Sequence, residues 1–200
     1  MEDIEIIKKR CAVFALENEG IDSNELTDTA ISYLKREIDG DKISTGDWML
    51  LHEKFYQSRK PYRDLDRRFA FDMAFGKALP WNFYWSLSQD SARFLLPLVD
   101  EIVPTIEKTD VRLLNDITEN GFALDTAYYH NPDCNTAHCV AGFFEIYGGE
   151  KGKYLVEHFG NWTCAALIDL KNNGSIRDFF ASNEDALETI KENAAKQMNK

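Results

Sequence analysis

The chain has 200 residues and a net charge of −11, with 44% hydrophobic, 28% charged and 12% aromatic side chains. That length is enough to bury a real core, and the aromatic share excludes a disordered chain. No apolar run approaches the roughly 18 residues of a membrane span, and the start "MEDIEIIKKR" lacks the apolar stretch of a secretory signal.

Taken in chain order, almost every segment has helical periodicity, and apolar–polar alternation rarely persists beyond four positions. Ile4, Ile7, Cys11 and Phe14 share a face over 2–19, with Gly20 placed as a C-terminal cap. Ser23 can cap a second helix through Leu26, Ala30, Tyr33, Leu34 and Ile38, closed by Gly40. Thr45 opens "TGDWMLLHEKFY", with Asp47 in the first turn, where negative charge suits the helix dipole. Pro61 suits the first turn of the next helix, whose apolar face includes Leu65, Phe69 and Met73.

The stretch "LPWNFYWSLSQD" (79–90) crowds four aromatics too closely for one helical stripe, so it reads as an irregular connector. A helix near 89–103 follows, with a kink expected at Pro97. Thr109 can cap "DVRLLNDITEN", which Gly121 ends, and 122–135 reads as a long loop. Helices are expected at 137–147, 151–159, 162–172 and 184–198, separated by Gly148-Gly149, Gly160-Asn161 and "NNG" at 172–174, with Ser182 three residues before Asp185. The expectation is one all-α domain over 1–200, of about eight to ten helices.

The segment "HNPDCNTAHCVAG" (130–142) holds two of the four histidines and two of the four cysteines. With Thr136 as N-cap, Ala137, His138 and Cys139 would occupy the first helical positions, where backbone N–H groups lower the pKa of a thiol. One reading is a cysteine-dependent hydrolase or transferase with Cys139 as nucleophile, Cys134 in support, and His138, His158 or His130 as base. A second is a zinc site built on His130, Cys134 and Cys139, although the spacing is not one of the usual four-ligand patterns. The third is packing: "AHCVAGFFEIYGG" is apolar almost all round, so Cys139, Phe143 and Ile146 would fill the core, with His138 partly buried and Gly142 allowing a close neighbour. An apolar helix usually packs, and no oriented base or complete ligand set stands out, so packing is the favoured reading and no cofactor is expected.

Cys134, Thr136, Cys139, Ala141, Gly142 and Phe143 form a C-x-T-x-x-C-x-A-G-aromatic phrase. It resembles C-G-T-x-x-C-x-A-G-W in a family of phage and bacterial proteins without assigned activity. There the phrase precedes a helix ending near L-G and then A-x-x-L, to which "LVEHFGNWTCAALI" (155–168) is similar. Asn135 stands for the usual glycine and Phe143 for the usual Trp, and the likeness spans about 125–168. The resemblance implies a phage or mobile-element setting, where small acidic proteins bind host proteins; it supplies no catalytic residues.

Arg59, Arg63 and Arg67 fall at i, i+4 and i+8 and, with Tyr56 and Tyr62 interleaved, could grip phosphate or single-stranded nucleic acid. Asp64, Asp66 and Asp72 lie among them, which favours a salt-bridged, solvated face, and nucleic acid is not the expected partner. Acidic sections 1–44 and 80–133 flank the mildly basic 45–79. A protein partner with a basic surface is therefore expected, with no membrane contact. Four cysteines without a secretory signal point to free thiols in the cytoplasm. A non-catalytic protein-binding role is the reading favoured over an enzyme.

Overall fold

The computed structural model describes residues 3–18, 25–57, 89–127, 129 and 137–199. Eight helices and one pair of short strands lie within them. These are α1 (Ile4–Asn18), α2 (Glu25–Ile38), α3 (Thr45–Gln57), α4 (Gln89–Val99), α5 (Thr109–Thr118), β1 (Ala123–Leu124), β2 (Ala137–His138), α6 (Val140–Phe159), α7 (Asn161–Asn173) and α8 (Asn183–Met198). The all-α expectation holds. Gly20, Ser23, the helix expected from Pro61 and most of the 79–90 connector lie outside the described residues. No helix among the described residues is long and apolar enough to cross a membrane.

The chain divides into two compact units, Met1–Leu98 and Val99–Lys200. In the first, burial follows the stripes predicted by helical spacing only in part: Ile7, Cys11, Ala30 and Leu34 are buried, whereas Ile4, Phe14, Leu26, Tyr33 and Ile38 are half-buried. Ala12, Val13, Ala15 and Leu16 of α1 pack with Ala30 and Leu34 of α2 and Leu51 of α3. A fully buried leucine such as Leu34 contributes about 1.5–3 kcal/mol of apolar transfer. Around this cluster, Tyr33 meets Trp48 edge-on at 5.2 Å and Phe14 stacks on Phe94 at 4.3 Å. Glu37 binds the Trp48 indole N–H at 3.0 Å and Lys9 at 3.0 Å, giving the polar edge of the indole a partner. Ser44, one residue before Thr45, caps α3 by accepting from Asp47 N and donating to its carboxylate. Helix α4 ends at Val99, two residues beyond Pro97 and short of the expected 103.

The second unit is built around α7, whose residues from Thr163 to Leu170 are all buried. A helix buried on every face must be surrounded, and its apolar "CAALI" run makes that favourable. Helix α6 packs against it as a hairpin turned at Gly160, whose φ of 82° is in the left-handed region glycine tolerates. Helices α5 and α8 pack as a second pair. The segment between α4 and α5 is clamped onto α7 by Lys171, which reaches the carbonyls of Asp100 and Val103, and by Asn172, which bonds Pro104 O and Ile106 N.

Helix α6 is broken at Gly149 (φ 56°, ψ −134°), where Gly148-Gly149 separates the expected helices 137–147 and 151–159. Beyond the break the two halves nearly touch: a Cβ on Gly152 would lie 2.4 Å from the Glu145 carbonyl oxygen. The start of α6 differs from expectation. Residues 137–138 are not helical but pair in parallel with 123–124, and Cys139, not Thr136, is the N-cap residue. A two-residue strand has no period, so nothing in the local sequence distinguishes it from loop. Ile146, expected in the core, is 44% exposed.

Candidate functional site

The Cys139 segment is held from three directions. Asp125 N–H donates to His138 O at 3.0 Å, extending the β1–β2 pairing, and Phe143 N–H donates to Cys139 O at 3.1 Å, opening α6. The backbone of Cys139 is extended (φ −75°, ψ 169°), and its Sγ lies 4.0 Å from the Tyr129 carbonyl oxygen. Two effects act on the thiol. Burial pushes its pKa up, while the amides of Gly142 and Ala141 in the first turn pull it down, and burial wins. The helix N-terminus expected to activate this cysteine is present, but Cys139 is 1% exposed and its burial works against the thiolate.

His138 is 4% exposed and packs between rings, edge-on to Phe143 at 5.2 Å and tilted to Phe122 at 6.2 Å. His158 is elsewhere on α6, in its last turn beyond the Gly149 break, against Tyr154 at 4.2 Å. Of the zinc set, Cys139 is described, while His130 and Cys134 lie outside the described residues, as do Arg59, Arg63, Arg67 and Thr136. Among the described residues no group of three or more His, Cys, Asp or Glu side chains is placed to hold a metal ion. Cys164, on α7, donates to Gly152 O at 3.5 Å, and burial raises its pKa to about 12.

A multiply bonded polar cluster in the second unit is one that sequence reasoning missed. Asp169 is 1% exposed among the apolar residues of α7, and Asp110 is 0% exposed in the first turn of α5. Two ionised carboxylates at such depth require a cation. Arg177, on the α7–α8 connection, supplies it to both. Its Nη1 and Nη2 bond Asp110 at 2.7 and 3.0 Å, and its Nε and Nη2 bond Asp169 at 3.0 and 2.8 Å. Its backbone N–H adds a bond to Asp169 at 2.8 Å. Asn173 Nδ2 donates to both carboxylates, and Gln197 Nε2 to Asp110 and to the Asn173 carbonyl. Burial opposes the guanidinium's charge, but Asp169 and then Asp110 outweigh it, so its pKa is raised and it stays cationic.

The same network caps α5. Thr109 was expected to be its N-cap; instead the cap is Lys108, in the left-handed region at φ 50°, and the Thr109 hydroxyl donates back to Ile106 O. Gln197 of α8 does the capping from afar, its Oε1 accepting from Asp110 N and Val111 N at 2.9 and 3.3 Å. The signal that could have found the site is the lone acid in "TCAALIDL", which demands a buried partner, with Arg177 eight residues on.

Arg177 also sets the residues that follow it. Its guanidinium carbon lies 4.9 Å from the centre of the Phe144 ring, and Phe179 meets the same ring edge-on at 6.1 Å. Alternation along "RDFF" buries Phe179 and leaves Phe180 53% exposed, tilted on Trp162 at 4.7 Å. Asp178 caps this turn by accepting from Phe180 N at 2.8 Å. In the first unit, a groove of about 610 Å³ lies along α1 and α2, lined by Leu16, Ile31 and Lys35 and crossed by the Lys35–Glu17 ion pair.

Taken together, the fold and these geometries define a helical protein whose second unit is organised around a saturated internal ion cluster. No protein-family model, no curated protein and no solved structure matches the chain.

Proposed function

We propose that this is a non-catalytic protein-binding protein that engages a basic protein surface, in the manner of a phage- or mobile-element-encoded modulator of host or defence machinery. The observation that carries the reading is where the charge resides. Asp110 and Asp169, the buried carboxylates among the described residues, are matched inside by Arg177. The other acidic side chains among the described residues are therefore left unburied, where their charge attracts cationic partners and repels nucleic acid. The burial of His138 and Cys139 in packing, with the thiol's pKa raised, supports a binding role over cysteine chemistry.

The test is affinity capture on the immobilised chain from a bacterial lysate at low and at physiological salt, with mass spectrometry of the eluate. The expected result is a basic protein whose capture weakens as salt rises, because surface ion pairs are screened over about 10 Å at 0.1 M. Recovery of no protein, or of one indifferent to salt, overturns the reading.

A further inference from the structure

We propose that Phe180, backed by Trp162 and held next to the exposed Asp178, is the contact site for an arginine-bearing segment of the partner. The inference rests on the proposed binding function and assigns it a place. Phe180 is the one aromatic among the large hydrophobic side chains that are exposed in the described residues, at 53%. A lone exposed apolar residue is unremarkable, but this one is held. Arg177 is tied through side chain and backbone to Asp169, Phe179 is buried against Phe144, and Asp178 caps the Phe180 amide. The backbone that carries the ring is thus held, and the ring rests on Trp162 at 4.7 Å, which lowers the ordering cost of contact.

The charge around it selects the occupant. From Asp178 to Ile190 the sequence carries acidic residues and no lysine or arginine. Asp178, Glu184 and Asp185 are exposed, and the bond from Thr126 N to Asn183 Oδ1 brings the turn after Asp125 against the start of α8. An exposed ring near exposed carboxylates fits a guanidinium. Its plane stacks on the aromatic face while its N–H groups reach the carboxylates, a combination the compact ammonium of lysine matches poorly. The chain uses the same pairing internally, with Arg177 between Phe144 and two carboxylates and Arg112 4.0 Å over the Tyr147 ring.

The experiment titrates the full chain with two synthetic peptides of equal length and charge, one arginine-alanine and one lysine-alanine, by calorimetry and by the indole N–H resonance of Trp162. The arginine peptide is expected to bind more tightly and to shift the Trp162 signal. Phe180→Ala and Phe180→Leu should each weaken it about threefold to tenfold, the leucine variant showing that the ring face and not apolar area is responsible. Asp178→Asn, which retains an oxygen to cap Phe180, should weaken it by a similar factor, and the exposed control Glu150→Gln should leave it unchanged. Equal affinity for both peptides, an unmoved Trp162 signal, or full affinity in both Phe180 variants each overturn the site. If salt-sensitive binding persists with Phe180 irrelevant, the site falls and the proposed function stands. If the wild-type chain binds neither peptide, both fall.

Discussion

Replacing Arg177 with methionine tests the role of the internal ion cluster directly. The substitution keeps most of the apolar stem but removes four side-chain hydrogen bonds to carboxylates that are 0% and 1% exposed. Asp110 and Asp169 then share a dry site as two negative charges, with only Asn173, Gln197 and one backbone N–H as donors. Breaking a buried ion pair by deleting one partner costs about 3–5 kcal/mol. Against a typical total of roughly 5–15 kcal/mol this is a large share. The assay is urea unfolding followed by far-ultraviolet circular dichroism. The triple variant Asp110→Asn, Asp169→Asn, Arg177→Met removes the charge altogether and should recover most of the loss. A deficit under 1 kcal/mol, or one that the triple variant does not reduce, would refute the claim that the ion cluster holds these elements together.

Gly152→Ala should destabilise by about 1–3 kcal/mol, since its new Cβ meets the Glu145 carbonyl at 2.4 Å, and thermal unfolding reads the difference. Gln197→Leu should loosen α5 by stripping the acceptor from Asp110 N and Val111 N, at about 1–2 kcal/mol, visible as faster amide exchange in the first turn. Native Cys139 and Cys164 should resist maleimide at pH 7 and react only on unfolding; rapid labelling of Cys139 there would revive the nucleophile reading. Both thiols have raised pKa values in the fold, so their contribution to stability is complete below the ordinary thiol range and is lost as pH climbs toward the value of about 12 at Cys164. Stability should therefore decline above about pH 9 and decline less in a Cys164→Ala variant.

Much of the helical layout was legible because helix signals are local. Gly149, Gly160 and Gly174 each have positive φ at or beside an expected break, and Ser182 accepts from Asp185 N as its spacing implies. The buried faces of α1 and α2 follow from spacing in part: a 3.6-residue period picks out Ile7 and Cys11, and Ala30 and Leu34, but not Ala12, Val13, Ala15 and Leu16, which are buried too. The candidate site was harder to read. That a cysteine lies at a helix N-terminus was visible, but whether burial or the helix amides decides its pKa depends on what surrounds it.

From the amino-acid order alone come the helices, their glycine breaks, the acidic surface charge and the apolar character of α6. The tertiary structure alone decided that Cys139 points into the core, that residues 137–138 pair with 123–124, and that a glutamine in α8 caps α5. It also decided that Asp110, Asp169, Arg177 and Gln197 meet, although positions 110 and 197 are 87 residues apart. The division has a physical cause. Helix propensity, caps and turns depend on neighbours within a few residues, whereas the partner of a buried charge is chosen by packing and can come from anywhere in the chain.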